Sequence, residues 1–372
     1  MEKVKISFVL GKYPNPRMKK RIQLVKKIGE VSLICWNMGS INFDYVDDEV
    51  EFIQVDINAN RTNPLKRLLP MLRFIHKAMK KLFSLSPQIL YVENIDMLLI
   101  GVLYYAFKRQ KPKIIYEIAD LHTLIISEPK SLRNKIIKKV LIFLEKKMCK
   151  YVHLLIITSE KFYEVYYINL INKDKVIYMP NMPDLTAFTN FKKKQHDIFT
   201  IGFVGSIRYY DQMKLLIEAI EGMNINIIFA GFSYNEQFQL EYSKRSNVKF
   251  LGKFDYDKDV AHIYEKLDCV YSVYNADDNN VKVALPNKLY EAIYCEIPII
   301  VAKGTYLSEI VSSLGVGLSV SHTSKSELEE AIYKLSNDKE FYDKLVYNCK
   351  ISKPYINIDK YNLNLFNRIM EL

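Results

Sequence analysis

Short apolar runs alternate with helix-length segments along almost the whole chain, and this alternation restricts the possible folds more than any other feature. The runs are rich in isoleucine, valine and phenylalanine, and many end at glycine. Uninterrupted apolar strands are typical of parallel sheets, because helices cover both faces of such sheets. Parallel neighbours also need a crossover segment between them, usually a helix. We therefore predict an α/β protein built on parallel sheets.

The series of strands and helices occurs twice. The strands predicted in the first half are 3–10, 31–36, 50–55, 88–92, 113–118, 154–158 and 175–178. Those predicted in the second half are 199–204, 226–230, 248–251, 269–273, 297–301 and 318–320. The predicted helices are 17–28, 97–107, 212–222, 259–267, 286–295, 306–314, 325–335 and 339–352. Two such series predict two sheet domains whose ligands bind beyond the carboxyl ends of the strands.

Two prolines and a polar stretch separate the two series. Pro180 and Pro183 end the first one, and the polar stretch 190–197 follows before a new strand begins. We predict an N-terminal domain at 1–185 and a C-terminal domain at 195–352. The remaining tail, 353–372, has apolar residues at helical spacing and is expected to pack back on the N-terminal domain.

Charge and cysteine content restrict where such a protein acts. Residues 1–190 contain 31 Lys and Arg against 18 Asp and Glu, a net charge of +13, whereas residues 191–372 contain 22 against 24, a net charge of −2. A basic half of this kind indicates a polyanionic partner or an anionic membrane surface. The five cysteines lack C-x-x-C spacing, as expected of reduced thiols in the cytoplasm. No secretory signal or membrane span is recognised.

The segment 284–301 contains the strongest functional pattern. Its sequence, Ala-Leu-Pro-Asn-Lys-Leu-Tyr-Glu-Ala-Ile-Tyr-Cys-Glu-Ile-Pro-Ile-Ile-Val, places a proline in the first turn of a helix that leads into a strand. A helix N-terminus attracts phosphate, and Lys288 adds a full positive charge there. The Glu291 carboxylate can accept hydrogen bonds from two ribose hydroxyls. Together these residues are suited to a nucleoside diphosphate, although each alone is more often a solvated charge.

The same segment resembles the donor site of GT-B glycosyltransferases of family 4, whose common form is a Pro-x-Lys-Leu-x-Glu helix followed by a Gly-x-Pro-Val turn. Residues 201–208, 229–232, 248–253 and 268–274 resemble other strand ends of that domain, in the correct order. The resemblance implies two Rossmann-like domains facing a central cleft. It also implies a sugar transferred from a nucleoside diphosphate, with UDP expected ahead of GDP and with no cofactor.

The resemblance also implies a set of donor-site residues. These are Gly205, Arg208, Gly231, Tyr274, Asn287, Lys288, Leu289 and Glu291. Three positions depart from the family pattern. Val283 stands where many members have a first glutamate, Arg208 is the one cation near the loop after the first strand, and Glu296 replaces a glycine. We expect Lys288 and Arg208 to hold the diphosphate, and the retaining or inverting outcome stays open.

The acceptor side resembles the family more weakly, through residues 115–122. An inverting reaction needs a base for the acceptor hydroxyl, and Asp120, with Glu93 and His122 behind it, is the candidate. A helix cap or turn is an equally good interpretation of Asp120. The adjacent pair Asp277 and Asp278 does not have the spacing of an acidic metal site, so we expect metal-independent transfer.

The segment 64–83 combines aliphatic residues with six Lys and Arg. Such a basic amphipathic helix can lie on an anionic membrane, whereas an ordinary solvated helix is the alternative. The expected membrane or acceptor contacts are Arg17, Lys66, Arg67, Arg73 and Lys77. We predict a cytoplasmic protein, peripheral on the inner face of the plasma membrane, that acts on a lipid-linked or saccharide acceptor in capsule, O-antigen or exopolysaccharide synthesis.

Two other functions remain open on the sequence. A sugar-nucleotide epimerase can share the fold, but it would need no acceptor site. A basic membrane-binding or nucleic-acid-binding protein without transferase activity is the second. Nucleic acid is not the expected partner, because the cations are interspersed with aliphatic residues and no reader motif occurs.

Overall fold

The computed structural model describes residues 3–39, 47–60, 64–129 and 131–372. The chain forms two compact units. Unit 1 contains Met1–Asn181 and Ile358–Leu372, and unit 2 contains Met182–Asn357. The domain prediction differs at both junctions, because residues 182–185 and 353–357 lie in unit 2.

Unit 1 is a seven-stranded sheet in the order β3-β2-β1-β4-β5-β6-β7, with all neighbours parallel. The strands are β1 (Val4–Leu10), β2 (Gly29–Asn37), β3 (Val50–Asp56), β4 (Ile89–Glu93), β5 (Lys113–Ile118), β6 (Leu154–Ile157) and β7 (Val176–Tyr178). The helices are α1 (Pro16–Val25), α2 (Pro64–Leu85), α3 (Asn94–Phe107), α4 (Thr123–Ile126), α5 (Leu132–Cys149), α6 (Glu160–Val165) and α15 (Ile358–Met370).

Helices cover both faces of this sheet, as buried apolar strands require. Alternate strand residues such as Phe8 and Tyr91 pack with side chains of α1 and α15 in one core. The opposite face meets the other helices, since Trp36 stacks on Phe74 of α2 at 4.9 Å. Tyr116 also points to that face and bonds a side chain of α5. Helices α2, α3 and α5 therefore form one layer, and α1 with α15 forms the other.

Unit 2 is a six-stranded parallel sheet in the order β10-β9-β8-β11-β12-β13. The strands are β8 (Phe199–Val204), β9 (Ile225–Ala230), β10 (Val248–Gly252), β11 (Cys269–Ser272), β12 (Ile299–Ala302) and β13 (Gly317–Val320). The helices are α7 (Tyr210–Ala219), α8 (Glu236–Tyr242), α9 (Tyr256–Tyr264), α10 (Asn279–Val283), α11 (Asn287–Cys295), α12 (Tyr306–Leu314), α13 (Lys325–Asn337) and α14 (Lys339–Ile351).

The predicted α/β class and the two parallel sheets are confirmed. One local prediction is wrong: Pro286 is the N-cap of α11 rather than a residue of its first turn. Its φ of −79° and ψ of 155° are extended, and the helix begins at the following asparagine. Within the described residues, no helix has the length and hydropathy needed to cross a membrane.

Candidate functional site

Two glycines bring bare backbone to the carboxyl ends of the adjacent strands β8 and β9. Gly205 has φ of +129° and Gly231 has φ of +138°, conformations that side chains rarely adopt. The Gly205 N–H donates to the Ala230 carbonyl over 2.7 Å. A Cβ at Gly231 would lie 2.0 Å from the Gly205 oxygen. Glycine is therefore required at Gly231, and the two backbones pass each other closely at this edge of the sheet.

Lys288 of α11 lies beside the first of these glycines. Lys288 is only 7% exposed, and its Nζ donates to the Tyr274 hydroxyl over 2.8 Å. The same Nζ lies 4.2 Å from the centroid of the Phe203 ring. A Cβ at Gly205 would stand 3.2 Å from it. A hydroxyl and two aromatic faces surround this ammonium group, so its positive charge is available for an anion.

The first turn of α11 adds a second source of positive potential. Pro286 caps the helix without a side-chain hydrogen bond to the first-turn N–H groups. Asn287 follows it and is exposed. These backbone donors and the helix dipole favour a negatively charged group. Leu289 is fully buried, so its side chain serves the packing of the helix against the core of unit 2.

Glu291 is buried one turn further along α11, and both of its carboxylate oxygens already have partners. Oε1 accepts from the Tyr256 hydroxyl over 2.7 Å, and Oε2 accepts from the Tyr264 hydroxyl. Burial raises the pKa of the Glu291 carboxyl, against the two hydroxyl hydrogen bonds and the attraction of Lys288. A carboxylate has about four lone-pair sites, so two remain for a ligand hydroxyl.

Arg208 is exposed in the loop that follows β8. The N–H of the preceding Ile207 donates to the Phe232 carbonyl over 2.9 Å, which continues the pairing of β8 with β9 into the loop. The next residue, Tyr209, packs edge-on against Tyr274 at 5.1 Å. The structure therefore brings Gly205, Tyr274 and Lys288 together, with Arg208 on the loop beside them.

A buried network of charges lies at the carboxyl ends of β4 and β5 in unit 1. Arg17 pairs with Glu93 of β4 and, over 2.6 Å, with Glu117 of β5. Arg21 Nε lies 3.4 Å from the other Glu117 oxygen, which also accepts from the Tyr91 hydroxyl. All five side chains are buried. Glu93 and Arg17 are therefore paired with each other. The prediction that Arg17 contacts a membrane is wrong, because its side chain is buried in this network.

Asp120 follows β5 and differs from these buried carboxylates. It is an exposed residue whose carboxyl nevertheless lies among protein atoms, and this desolvation raises its pKa. The positive charges of Arg17 and Lys12 act in the opposite direction. A carboxylate with a raised pKa is a stronger base than an ordinary aspartate. His122 is also exposed, two residues further along.

The four predicted cations of α2 occupy different environments. Arg67 pairs with Asp96 over 3.0 Å and lies 5.2 Å from the Trp36 ring centroid, whereas Lys66 is exposed. Arg73 and Lys77 line a cavity of about 660 Å³ at the carboxyl end of β3. The other residues that line it are Asp56, Ile57, Asn58, Leu72 and His76. Of these four cations, Arg67 thus has an ion-pair partner and an aromatic contact within unit 1.

Several site residues were missed in the sequence. Glu117 sits in the apolar strand Ile-Ile-Tyr-Glu-Ile, and a charge in a strand buried on both faces requires a buried partner. That requirement was a usable signal. Tyr256 and Tyr264, the partners of Glu291, gave no comparable signal, because many tyrosines occur in the chain and only the fold selects two of them. In the part of the chain that the structure describes, no three His, Cys, Asp or Glu side chains are grouped as metal ligands.

The sequence is similar to known proteins over part of its length. Residues 186–351 match the family described as glycosyl transferases group 1. The succinoglycan biosynthesis protein ExoL of Rhizobium meliloti (strain 1021) is 25% identical over 249 residues, which cover 63% of this chain. The alignment spans 60% of the length of ExoL.

Solved structures give the fold of the whole chain. Sucrose-phosphate synthase from Thermosynechococcus elongatus has a TM-score of 0.75 and 13% identity, covering 99% of this chain and 98% of that chain. Anabaena HepE in complex with UDP and glucose has a TM-score of 0.70 and 15% identity, covering 99% and 100%. WaaG, a glycosyltransferase involved in lipopolysaccharide biosynthesis, has a TM-score of 0.70 and 14% identity, covering 97% and 98%. The predicted GT-B fold is confirmed.

Proposed function

We propose that this chain, whose residues 186–351 match the group 1 glycosyl transferases and which has the GT-B fold, transfers a sugar from a nucleoside diphosphate to an acceptor hydroxyl. The observation that most directly supports this proposal is the position of the Lys288 ammonium group beside Gly205, at the carboxyl end of β8 and the start of α11. Its hydrogen-bond partner is a neutral tyrosine hydroxyl, so an anionic group can approach it without displacing a carboxylate.

The diphosphate is proposed to bind along this edge of unit 2. Gly205 and Gly231 leave room for phosphate oxygens to approach the backbone, and the N–H groups at the start of α11 donate to them. Lys288 and Arg208 supply the full positive charges. When the bond between the sugar and the diphosphate breaks, negative charge develops on the leaving phosphate oxygen. Fixed donors at that oxygen stabilise the transition state more than the ground state.

Glu291 is proposed to accept a hydrogen bond from a ribose hydroxyl of the donor. Its two free lone-pair sites allow this while Tyr256 and Tyr264 stay in place. The tyrosines then position the carboxylate. Asn287 and Tyr274 complete the donor-binding residues, at the exposed start of α11 and beside the Lys288 ammonium group.

The proposed base for the acceptor is Asp120. As the acceptor oxygen bonds to the sugar carbon, its proton passes to the base, and the donor's diphosphate leaves with the electron pair of the broken bond. The raised pKa of Asp120 favours the proton transfer. Glu93 is held by Arg17 and is assigned a positioning role behind Asp120, and His122 is the remaining candidate.

The names of similar proteins support the choice of substrates. HepE has been solved with UDP and with UDP-glucose, and ExoL is a succinoglycan biosynthesis protein. A UDP-sugar donor and an acceptor that belongs to a growing surface polysaccharide follow by analogy. We assign the acceptor to the lipid-linked class and place the protein on the inner face of the plasma membrane, since unit 1 carries most of the positive charge of the chain.

Nucleotide binding is the direct test. We expect UDP, among UDP, GDP and CMP, to raise the melting temperature of the full chain, because a ligand that binds only the folded state stabilises it by mass action, by about 2.7 kcal/mol at 100 times Kd. Lys288→Met should abolish the rise, and Glu291→Ala should reduce it. Lys282→Met changes an exposed lysine of the neighbouring helix α10 and is the matched control, which should keep the full rise.

The outcomes separate the donor site from the transferase proposal. A rise with UDP that Lys288→Met leaves unchanged would remove the diphosphate from α11. The absence of a rise with any of the three nucleotides at millimolar concentration would contradict the transferase itself. Release of UDP from a UDP-sugar, dependent on an added lipid-linked saccharide, then distinguishes a transferase from an epimerase.

A further inference from the structure

Helix α5 of unit 1 exposes a row of large apolar side chains. The row consists of Leu132, Ile136, Val140, Phe143 and Leu144, which are 74%, 55%, 49%, 58% and 46% exposed. Their spacing of mainly three and four residues places them on one face of the helix. Single exposed leucines are common, but five exposed apolar side chains on one helix face mark a surface that binds a membrane, another protein or a ligand. We call these five side chains the α5 row.

Exposed cations are interspersed with the α5 row. They are Arg133, Lys135, Lys139, Lys146 and Lys147. The Nζ atom of Lys147 lies 5.4 Å from the centroid of the Phe143 ring, so charge and apolar surface are in contact. Lys138 is not one of these cations, because it is partly buried and pairs with Glu128 over 3.1 Å. Long lysine side chains can lay their methylene groups along an apolar surface and place the charge at its edge.

The single acidic residue of α5 points to the other side of the helix. Glu145 is 1% exposed, and its carboxylate accepts from the hydroxyls of Tyr116, Tyr166 and Tyr167 over 2.8, 2.7 and 2.8 Å. These three hydroxyls fix the inner face of the helix to the body of unit 1. The outer face of α5 therefore combines apolar side chains with positive charge and carries no carboxylate of its own.

Helix α2 lies in the same layer, on the same face of the sheet, and has a similar surface. Leu68, Leu69 and Leu72 are 60%, 58% and 54% exposed. Lys66, Arg73 and Lys77 are exposed on the same helix. The apolar and basic character of α5 is thus repeated within this layer.

We propose that the α5 row docks unit 1 on a bilayer that contains anionic lipid. Aliphatic and aromatic side chains would enter the boundary between headgroups and acyl chains, while the five cations meet lipid phosphates. A second copy of the chain is a poorer occupant, because pairing two α5 faces would bring ten cations together, five from each copy, without a carboxylate from either helix. The inference rests on the proposed function only for the idea of an acceptor carried by lipid.

Vesicle sedimentation tests the inference without donor or acceptor. The full chain is mixed with vesicles of phosphatidylcholine containing phosphatidylglycerol, and with vesicles of phosphatidylcholine alone. We expect strong binding to the first, weaker binding to the second, and weakening by salt, as electrostatic attraction requires. Ile136→Gln combined with Phe143→Gln should lower the partition coefficient at least tenfold. Lys139→Gln combined with Lys146→Gln should lower it only on anionic vesicles.

Two controls keep the test decisive. Leu363→Gln removes a side chain that is 62% exposed on α15, on the opposite face of the same sheet, and should bind like the parent. Leu68→Gln combined with Leu72→Gln tests whether the similar surface of α2 also contributes to vesicle binding. Equal binding by the α5 variant and the parent would overturn the inference. The inference would also be overturned if the parent chain did not bind vesicles but formed a dimer that the α5 substitutions dissociate. The nucleotide test is unaffected by either result, so failure of membrane docking would leave the proposed donor site and the sugar transfer standing.

Discussion

At the scale of the residue, Glu117 is the carboxylate on which the buried charges of unit 1 converge. It faces Arg17 and Arg21 and accepts a hydrogen bond from Tyr91. Burial acts to raise the pKa of Glu117, but the two guanidinium groups and the hydroxyl outweigh it and hold the pKa below its ordinary value of 4.5. This carboxylate therefore stabilises the folded state only while it is ionised.

Glu117→Gln should lower the free energy of unfolding at pH 7 by about 3–5 kcal/mol, because it leaves buried guanidinium groups without their shared counter-charge. The effect should depend on pH. Glu117 binds a proton more readily when unfolded, so its contribution is present above pH 4.5 and is lost as the pH falls below that value. Denaturant unfolding of parent and variant between pH 7 and pH 3.5 measures the difference.

The difference between the two chains should shrink in acid. Lys282→Met, far from the network in sequence and in unit 2, serves as a control for substitutions that remove a charge. A constant difference across the whole pH range would contradict the assignment of the lowered pKa to Glu117. Glu291 differs from Glu117 in having two tyrosine hydroxyls as its hydrogen-bond partners, and burial raises its pKa. The two buried glutamates thus respond to pH in opposite directions.

At the scale of the element, helix α11 ends on a residue in the left-handed conformation. Glu296 has φ of 55° and ψ of 42°, at the position where helices favour glycine. The departure from the Gly-x-Pro pattern in the sequence is thus a backbone cost of roughly 1 kcal/mol. An ion pair of 2.6 Å with the exposed Lys353 partly offsets it. Exposed pairs contribute about 0–1 kcal/mol.

Glu296→Gly should therefore raise the free energy of unfolding by about 0.5–1 kcal/mol, since the relief of the left-handed backbone exceeds the loss of the ion pair. Glu296→Gln removes the charge but keeps the backbone cost, and it should be neutral or slightly destabilising. Chemical denaturation of both variants measures the two contributions. A glycine variant less stable than the glutamine variant would refute the explanation.

The sequence predicted the strands better than the helices on the surface. All thirteen strands of the described ranges were predicted to within about two residues at each end, because buried parallel strands appear in the sequence as uninterrupted apolar runs. Helix α5 was missed because its exposed apolar row removes the amphipathic contrast that marks an ordinary surface helix. In the site, Lys288 and Gly205 were predicted from the motif. The Tyr256 and Tyr264 hydroxyls were not, because they reach Glu291 only through the packing of α9 on α11.

At the scale of the whole molecule, unit 1 is completed by a segment that follows unit 2 in the chain. Leu365 and Ile369 of α15 are buried in the core that also contains Met18 and Ile22 of α1. Tyr361 packs edge-on against Tyr178 of β7 at 5.6 Å. The last helix therefore covers apolar surface that the first part of the chain leaves open.

Leu365→Ala should destabilise unit 1 by about 2–5 kcal/mol, the range for deleting a fully buried leucine side chain. The effect should be confined to that unit. Hydrogen exchange is expected to quicken in β1 and α1 while the strands of unit 2 keep their protection. Leu363→Ala, at an exposed position of the same helix, is the control and should change neither. Equal loss of protection in both units would show that they unfold together.

The chain passes from unit 1 to unit 2 at residue 181 and returns at residue 357. During synthesis on the ribosome, unit 2 is therefore fully made before unit 1 can be finished. The nascent chain must carry the uncovered α1 face for the time needed to translate the whole of unit 2, and incomplete folding units of this kind are prone to aggregate. A product that stops at residue 357, just before α15, would contain a complete second unit and an unfinished first one, so chaperones and proteases would act on its beginning and not on its end.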